Sequence, residues 1–329
     1  MEHIAIDWGA RKSQICVRTD DGTIVENRKV LTAELMHLGR RKPGRVIIET
    51  CTQAFSIADG ALKMGHQVRV VPSSLAPALG IAEHGVKTDK RDAEALSRAS
   101  CRIDLPSVHI PSEEARRRKS ISSAREAMIK SRTMTVNAIK SWLRADGRSV
   151  SSPPESLPGR IRTVCEKLPH HVEQLVQVLE LLNKQLKESE REIEKIAKSD
   201  PVCRRLMTVP GVGPMTAVRF QAAIDDRTRF SSAHKVESYL GLVPGEDSSS
   251  DRKRRLGITK AGPTALRAHL VQAAWAAKKC KTVPRMVQWS EQIAQRRGKH
   301  IATVALARKI AGILFAIWRD GTEYCDSRS

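Results

Sequence analysis

The sequence predicts an α/β domain over residues 1–110 and a mainly α-helical remainder, on three observations. Short apolar runs of strand length alternate with helical patterns as far as about residue 104. Beyond residue 112 apolar residues recur at helical spacing over long stretches. Two of the early apolar runs end in an isolated acid, Asp7 in Ile4-Ala5-Ile6-Asp7-Trp8-Gly9 and Glu49 in Val46-Ile47-Ile48-Glu49-Thr50. Strand ends are where open α/β sheets collect their chemistry.

Residues 3–7 and 14–19 read as strands flanking the Gly9-Ala10-Arg11-Lys12 turn, and Gly22 marks a hairpin before a third strand at 23–30. Val46–Glu49 is a short buried strand, 53–64 a helix, and Gln67–Val71 a strand that stops at Pro72. A helix then opens at Lys87-Thr88-Asp89-Lys90-Arg91-Asp92-Ala93. Two aspartates three residues apart share a helix face and can hold a divalent cation. Adjacent strands would bring Asp7 and Glu49 together, and the layout of four acids is that of an RNase H-like nuclease core.

Residues 112–145 form a long helix, with Ile121, Ala124, Met128, Ile139 and Trp142 expected inside. Arg116, Arg117, Arg118, Lys119, Arg125, Lys130 and Arg132 are expected to face outward as a phosphate-binding surface. The run from Ser149 to Pro154, followed by Pro158-Gly159, breaks the helix and marks a linker. Leu175, Leu179, Leu182, Leu186, Ile193 and Ile196 then follow a heptad seam, suited to an intramolecular hairpin or to a dimer strut. After Pro201 an apolar helix end, the Pro210-Gly211-Val212-Gly213-Pro214 turn and a new helix make a helix-hairpin-helix-like segment. Its backbone N–H groups at Gly211 and Gly213 are suited to a phosphate, and the same turn equally fits a tight helix-to-helix connection in which Gly supplies a positive φ. The organisation is therefore 1–110, a basic helical extension at 111–148, a linker and coiled coil at 149–200, and a C-terminal domain at 201–329.

Composition says what such a chain meets. It has 57 Lys+Arg against 36 Asp+Glu, a net charge of +21, so polyanions and above all nucleic acid are the expected partners. Aromatics make up 3% of residues, which excludes base-stacking modules as the main mode of contact. The seven Cys show no metal or disulfide spacing and are expected as reduced cytosolic thiols. No signal-peptide pattern and no apolar run of membrane-spanning length is read, so the expectation is a cytoplasmic protein without membrane contact. In the loop that begins at Tyr239, Ser248, Ser249 and Ser250 precede Arg252, Lys253, Arg254 and Arg255. A serine hydroxyl there could attack a phosphate clamped by these cations.

In order and spacing these pieces resemble the DEDD transposases of the insertion-sequence one-hundred-and-ten family, with its eleven-eleven branch of bridge-RNA-guided recombinases. The resemblance rests on Ile6-Asp7-Trp8-Gly9, Ile48-Glu49-Thr50, Gly65-His66-Gln67-Val68, Lys87–Ala93, Pro210–Pro214, and Gly241-Leu242-Val243-Pro244 leading to Ile258-Thr259-Lys260-Ala261-Gly262. It implies a RuvC-like (RNase H-like) N-terminal domain whose tetrad Asp7, Glu49, Asp89 and Asp92 binds Mg²⁺ at a one- or two-metal site. It further implies a C-terminal transposase domain with a nucleophilic serine, matching Ser249, and a Lys260 that meets nucleic acid. Ser250 stands where relatives carry Gly, and Ser248 offers a competing hydroxyl. The implied partners are donor and target DNA, a non-coding guide RNA encoded by the element, and further copies of the chain in a dimer or tetramer.

Three other readings stay open on the residues. A resolvase-type nuclease would use the same acids to activate water. An actin-fold kinase would use Ile4–Gly9 as a phosphate loop, although no second Asp-x-Gly motif follows. A nucleoid-type binder would leave the acids unexplained.

Overall fold

The structure is a computed structural model that describes residues 1–35, 41–75, 88–249, 252–280 and 284–326, with the side chains of 247–255 outside the description. Lys87 and Ser250 lie outside the described residues, as do the side chains of Ser248, Ser249 and Arg252–Arg255. The chain divides into two compact units, Met1–Pro111 and Ser112–Ser329.

Unit one is built on a five-stranded mixed sheet ordered β3-β2-β1-β4-β5. Its strands are β1 (Glu2–Asp7), β2 (Lys12–Thr19), β3 (Ile24–Leu31), β4 (Arg45–Glu49) and β5 (Gln67–Val71). The first three form an antiparallel meander, and β4 and β5 continue from β1 in parallel. Side chains alternate between the faces of a strand. Ile4, Ile6, Ile15, Val17, Ile48 and Val70 therefore pack on one face against Ala54, Ala58 and Ala61 of helix α1 (Ala54–Lys63). The other face presents Ala5, Ile47 and Val71 to Ala95 and Leu96 of α2 (Asp89–Arg102). Each fully buried Ile or Leu contributes about 1.5–3 kcal/mol by leaving water, so parity along the strands ties α2 to the face that also carries Asp7 and Glu49.

Among the described residues unit two is helical apart from one hairpin. The long helices α3 (Glu113–Ala145) and α5 (His170–Ser199) pack along one another, with α4 (Leu157–Val164) closing a core of Val136, Ile139, Leu143, Leu157, Ile161 and Leu179. Helices α6 (Pro201–Leu206), α7 (Pro214–Ile224), α8 (Ala233–Tyr239), α9 (Thr264–Ala277), α10 (Arg285–Arg297) and α11 (Lys299–Asp320) enclose the larger core.

Several local expectations are corrected. The Pro-rich break contains α4: Pro158 sits in its first turn, where a missing N–H costs nothing, and Leu157 and Ile161 are fully buried. On α3 the buried stripe runs through Ala115, Arg118, Ser122, Val136, Ile139 and Leu143, while Ala124 is exposed and Ile121, Met128 and Trp142 are half-buried. The serine-rich loop is the end of a strand, β6 (Pro244–Ser249), paired antiparallel with β7 (Arg252–Ile258), and Ser249 stands opposite Arg252 in register. Helix α11 is long and apolar enough to cross a membrane, although Arg308 and Lys309 interrupt its apolar run. Leu306, Ile310, Leu314 and Phe315 commit it to the core of unit two.

Candidate active site

Register and parity arrange the four acids. Ile6 pairs with Ile48 in the parallel β1/β4 ladder, so Asp7 and Glu49 end neighbouring strands at the same edge of the sheet. Both belong to the face that α2 covers, since Ala5 and Ile47, two residues before each, pack against that helix. The first turn of α2 holds Asp89 and Asp92, and Thr88 caps it by accepting the Arg91 N–H. Two carboxylates at a helix N-terminus are favoured by its dipole.

The two aspartates of α2 differ. Asp89 is exposed, and its carboxylate accepts a hydrogen bond from Lys29 Nζ on β3 at 2.9 Å. Such a surface pair is worth at most about 1 kcal/mol, so a cation could displace it. Asp92 is 3% exposed, and its Oδ1 is buried with no hydrogen-bond partner among the described residues. A buried acceptor left unmatched costs about 1–3 kcal/mol, more if charged. Beside these acids Gln14, opposite Asp7 in register, donates to Asn27 at 2.5 Å. Asn27 in turn donates to Glu94 of α2 at 2.5 Å. That polar ladder was not anticipated, and a buried Gln inside an apolar strand was its one visible signal.

An all-carboxylate donor set with an unmatched buried oxygen fits a hard divalent cation. Among the described residues, however, no three His, Cys, Asp or Glu side chains stand together as ligands of one ion. The fold places the four acids on one face without closing them into a cage.

The expected phosphate-binding residues separate into two groups. Arg117 and Lys119 are exposed on the first turns of α3, and Arg116 is half-buried. Arg118 is a correction: it is buried and donates to Glu114 at 2.6 Å and to Asp200 at 2.8 Å. Its spacing puts it on the stripe that faces α5 and α6, where a charge must be paired. Asp200 answers it, caps α6 through Val202 and Cys203 N–H groups, and accepts from Gln221. Burial pushes the Asp200 carboxyl up, but these donors outweigh it and the net shift is down. Burial pushes the neighbouring Cys203 thiol up to about 12, so it stays protonated. Arg125 and Arg132 are half-buried and paired with Glu190 and Glu155, whereas Lys130 is exposed.

At Gly211 the conformational role of the glycine is on view. It has φ +84°, and a Cβ there would stand 2.2 Å from the Ala273 carbonyl oxygen, so this glycine serves a close approach to α9. Gly213 caps α7 with open space around it. Gly241 and Lys260 both have positive φ, and the Lys260 N–H donates to the Gly241 carbonyl at 3.1 Å, leaving the Lys260 side chain exposed. Buried Arg267 ties the same two loops by donating to the Leu240 and Ala261 carbonyls, a role no local pattern announced.

The family profile described as Transposase IS116/IS110/IS902 family matches residues 203–288. A DEDD profile of IS110-type elements, described as Transposase, matches residues 4–145. The chain is 28% identical over 327 residues to the Coxiella burnetii protein named transposase for insertion sequence element IS1111A, covering 95% of this chain and 88% of that one. It is 29% identical to a probable family 20 transposase of Pseudomonas aeruginosa, covering 92% of both chains. With the Yersinia enterocolitica transposase for insertion sequence element IS1328 it shares 27% identity over 98% of both chains. Two family profiles in the same order on one chain, and relatives that align end to end, carry one conclusion: the chain belongs to the IS116/IS110/IS902 family of insertion-sequence transposases and is a DNA transposase enzyme.

Proposed function

We propose that this transposase cuts and rejoins DNA with Asp7, Glu49, Asp89 and Asp92 as a Mg²⁺-binding tetrad and Ser249 as the nucleophile. The observation that carries the reading is the common face and edge of the acids, with Asp92 keeping a buried oxygen that has no hydrogen-bond partner among the described residues. The strand order β3-β2-β1-β4-β5 with α2 across the acid-bearing face supports a RuvC-like reading of unit one. Bound Mg²⁺ would supply Lewis-acid polarisation of the scissile phosphate.

The chain's own residues do the rest. Pairing of β1 with β4 orients Asp7 and Glu49, and α2 presents Asp92 from above the sheet. Ser249 Oγ loses its proton and bonds to phosphorus while the bond to the 3′ oxygen breaks; that oxygen takes up a proton. The products are a 5′-phosphoserine link and a free 3′-OH, and the reverse step rejoins strands without ATP. An element-encoded RNA would choose the sequences by base pairing, as the diffuse basic charge and 3% aromatic content suit. Donor and target sites would be bridged by a dimer or tetramer.

A second reading has its own support: all four acids belong to one compact unit, and hydrolysis by an activated water needs no serine. Trapping the reaction of full-length protein with element-end DNA in Mg²⁺ separates the two. A covalent adduct that maps to Ser249 and vanishes in Ser249→Ala supports strand transfer. Cleavage with no adduct hands the site to a nuclease.

A further inference from the structure

At the opposite end of α2 from the acids the sheet carries a second polar site. Arg45 opens β4, Arg69 lies in β5, and Arg102 ends α2. Together with His3 and Ser100 they line a cleft of about 450 Å³. The register pairs His3 with Arg45 and Ile47 with Arg69, which brings both arginines onto the α2 face.

The cleft has more donors than the protein uses. Among the described residues Arg45 reaches Gln67, at 3.5 Å, and Arg69 donates to exposed Asp104 at 3.1 Å. The Nε atoms of both arginines are buried without a hydrogen-bond partner among the described residues. Arg102 is exposed and makes no ion pair among those residues. The second acid of the cleft, Asp20, accepts from His3 Nε2 at 2.9 Å, while His3 Nδ1 meets Ser100 Oγ at 2.7 Å. Those bonds hold the floor in place and leave three guanidinium groups facing one cleft. Half-buried and exposed guanidinium groups with donors to spare are matched best by an anion that takes two N–H bonds in a plane, which is phosphate chemistry.

We infer that this cleft is a phosphate-binding site for the sugar-phosphate backbone of nucleic acid. Four strand steps lead from Arg45 to Glu49 and ten helix steps from Asp92 to Arg102, so roughly 13–15 Å separates the cleft from these acids. The phosphate held here is therefore a different one from any that is cut, and the site positions a strand without reacting with it. The inference rests on the family reading only for its choice of nucleic acid over a free nucleotide.

The test uses full-length protein in EDTA, so that binding is read without strand transfer and independently of the tetrad. Titrations of a labelled 20-mer duplex, a labelled 20-mer single-stranded RNA and AMP are run on wild type, Arg45→Gln/Arg69→Gln and Arg102→Glu. The expected result is a loss of roughly tenfold in affinity for one or both polymers in each variant. The slope of log affinity against log salt should also fall by about one to two, one phosphate contact changing it by about 0.9 on duplex. Arg102→Glu changes only an exposed helix end, so it answers the question even if the double variant is unstable. Unchanged polymer affinity and slope in Arg102→Glu overturns the inference. Loss of AMP binding with polymer binding intact also overturns it, in favour of a free nucleotide.

Discussion

Asp92 and Asp200 are both largely buried aspartates, one in each unit, and the fold treats them oppositely. Asp200 accepts from Arg118, Gln221 and two backbone N–H groups, so unit two supplies every partner its charge needs. Asp92 keeps one oxygen buried with no hydrogen-bond partner among the described residues. The difference separates a carboxylate that ties helices together from one that the described residues leave open, as the proposed metal site requires. Similar burial thus goes with very different partners, and the partners, not the burial, point to a role.

Breaking the comparison from the side of unit one should have the largest effect. Asp92→Asn is expected to lower Mg²⁺-dependent strand cleavage by roughly 10²–10³-fold or more, as removal of transition-state electrostatics does elsewhere. Its melting temperature should hold or rise, because the substitution removes a carboxylate whose buried Oδ1 has no hydrogen-bond partner among the described residues. Asp7→Asn and Glu49→Gln should match it in cleavage assays, with DNA binding retained.

Asp200→Ala should do the reverse. It leaves Arg118 buried with a weaker answer, a loss of about 3–5 kcal/mol. For a unit of this size that is a fall in melting temperature of roughly 10 °C. Unchanged thermal stability would deny the buried pair its structural role.

Acid sharpens the same contrast. The Arg117 hydrogen bond, aided by Arg118 and opposed by burial, holds Glu114 down at about 2 from its ordinary 4.5. A carboxyl with a depressed folded pKa adds stability above its unfolded value and loses it as pH falls through the folded one. Denaturation midpoints of the wild type should therefore decline between pH 4.5 and 2. In Arg118→Met that decline should be shallower, because one of the donors holding Glu114 down is gone. Equal slopes in the two proteins would detach Arg118 from the acid limb.

The smallest effect belongs to the exposed start of α3. Replacing Arg116, Arg117 and Lys119 by Ala, with Arg118 kept, should flatten the salt dependence of DNA binding by up to about 0.9 per lost contact. No change in slope would mean that this face does not meet phosphates.

How much of this was legible varied with how local the signal was. The strands of unit one were readable because each is an apolar run bounded by a turn, and the two terminal acids stood out against it. Arg118 was misread because a helix pattern cannot say which basic residue meets a partner 82 residues away. The β6/β7 hairpin was invisible because Glu246-Asp247-Ser248-Ser249 has no apolar alternation to announce a strand. Helix α4 hid behind the prolines that permit its first turn. The unmatched oxygen of Asp92 and the idle donors of Arg45 and Arg69 are properties of packing, and no spacing rule contains them.

The central claim is that the α2 face of the sheet is where DNA is cut. Its most direct test is cleavage and strand transfer on element-end DNA in Mg²⁺ by wild type and Asp92→Asn, at protein concentrations giving equal DNA occupancy. The account predicts product from the wild type and none above background from Asp92→Asn. Equal product from both would contradict it.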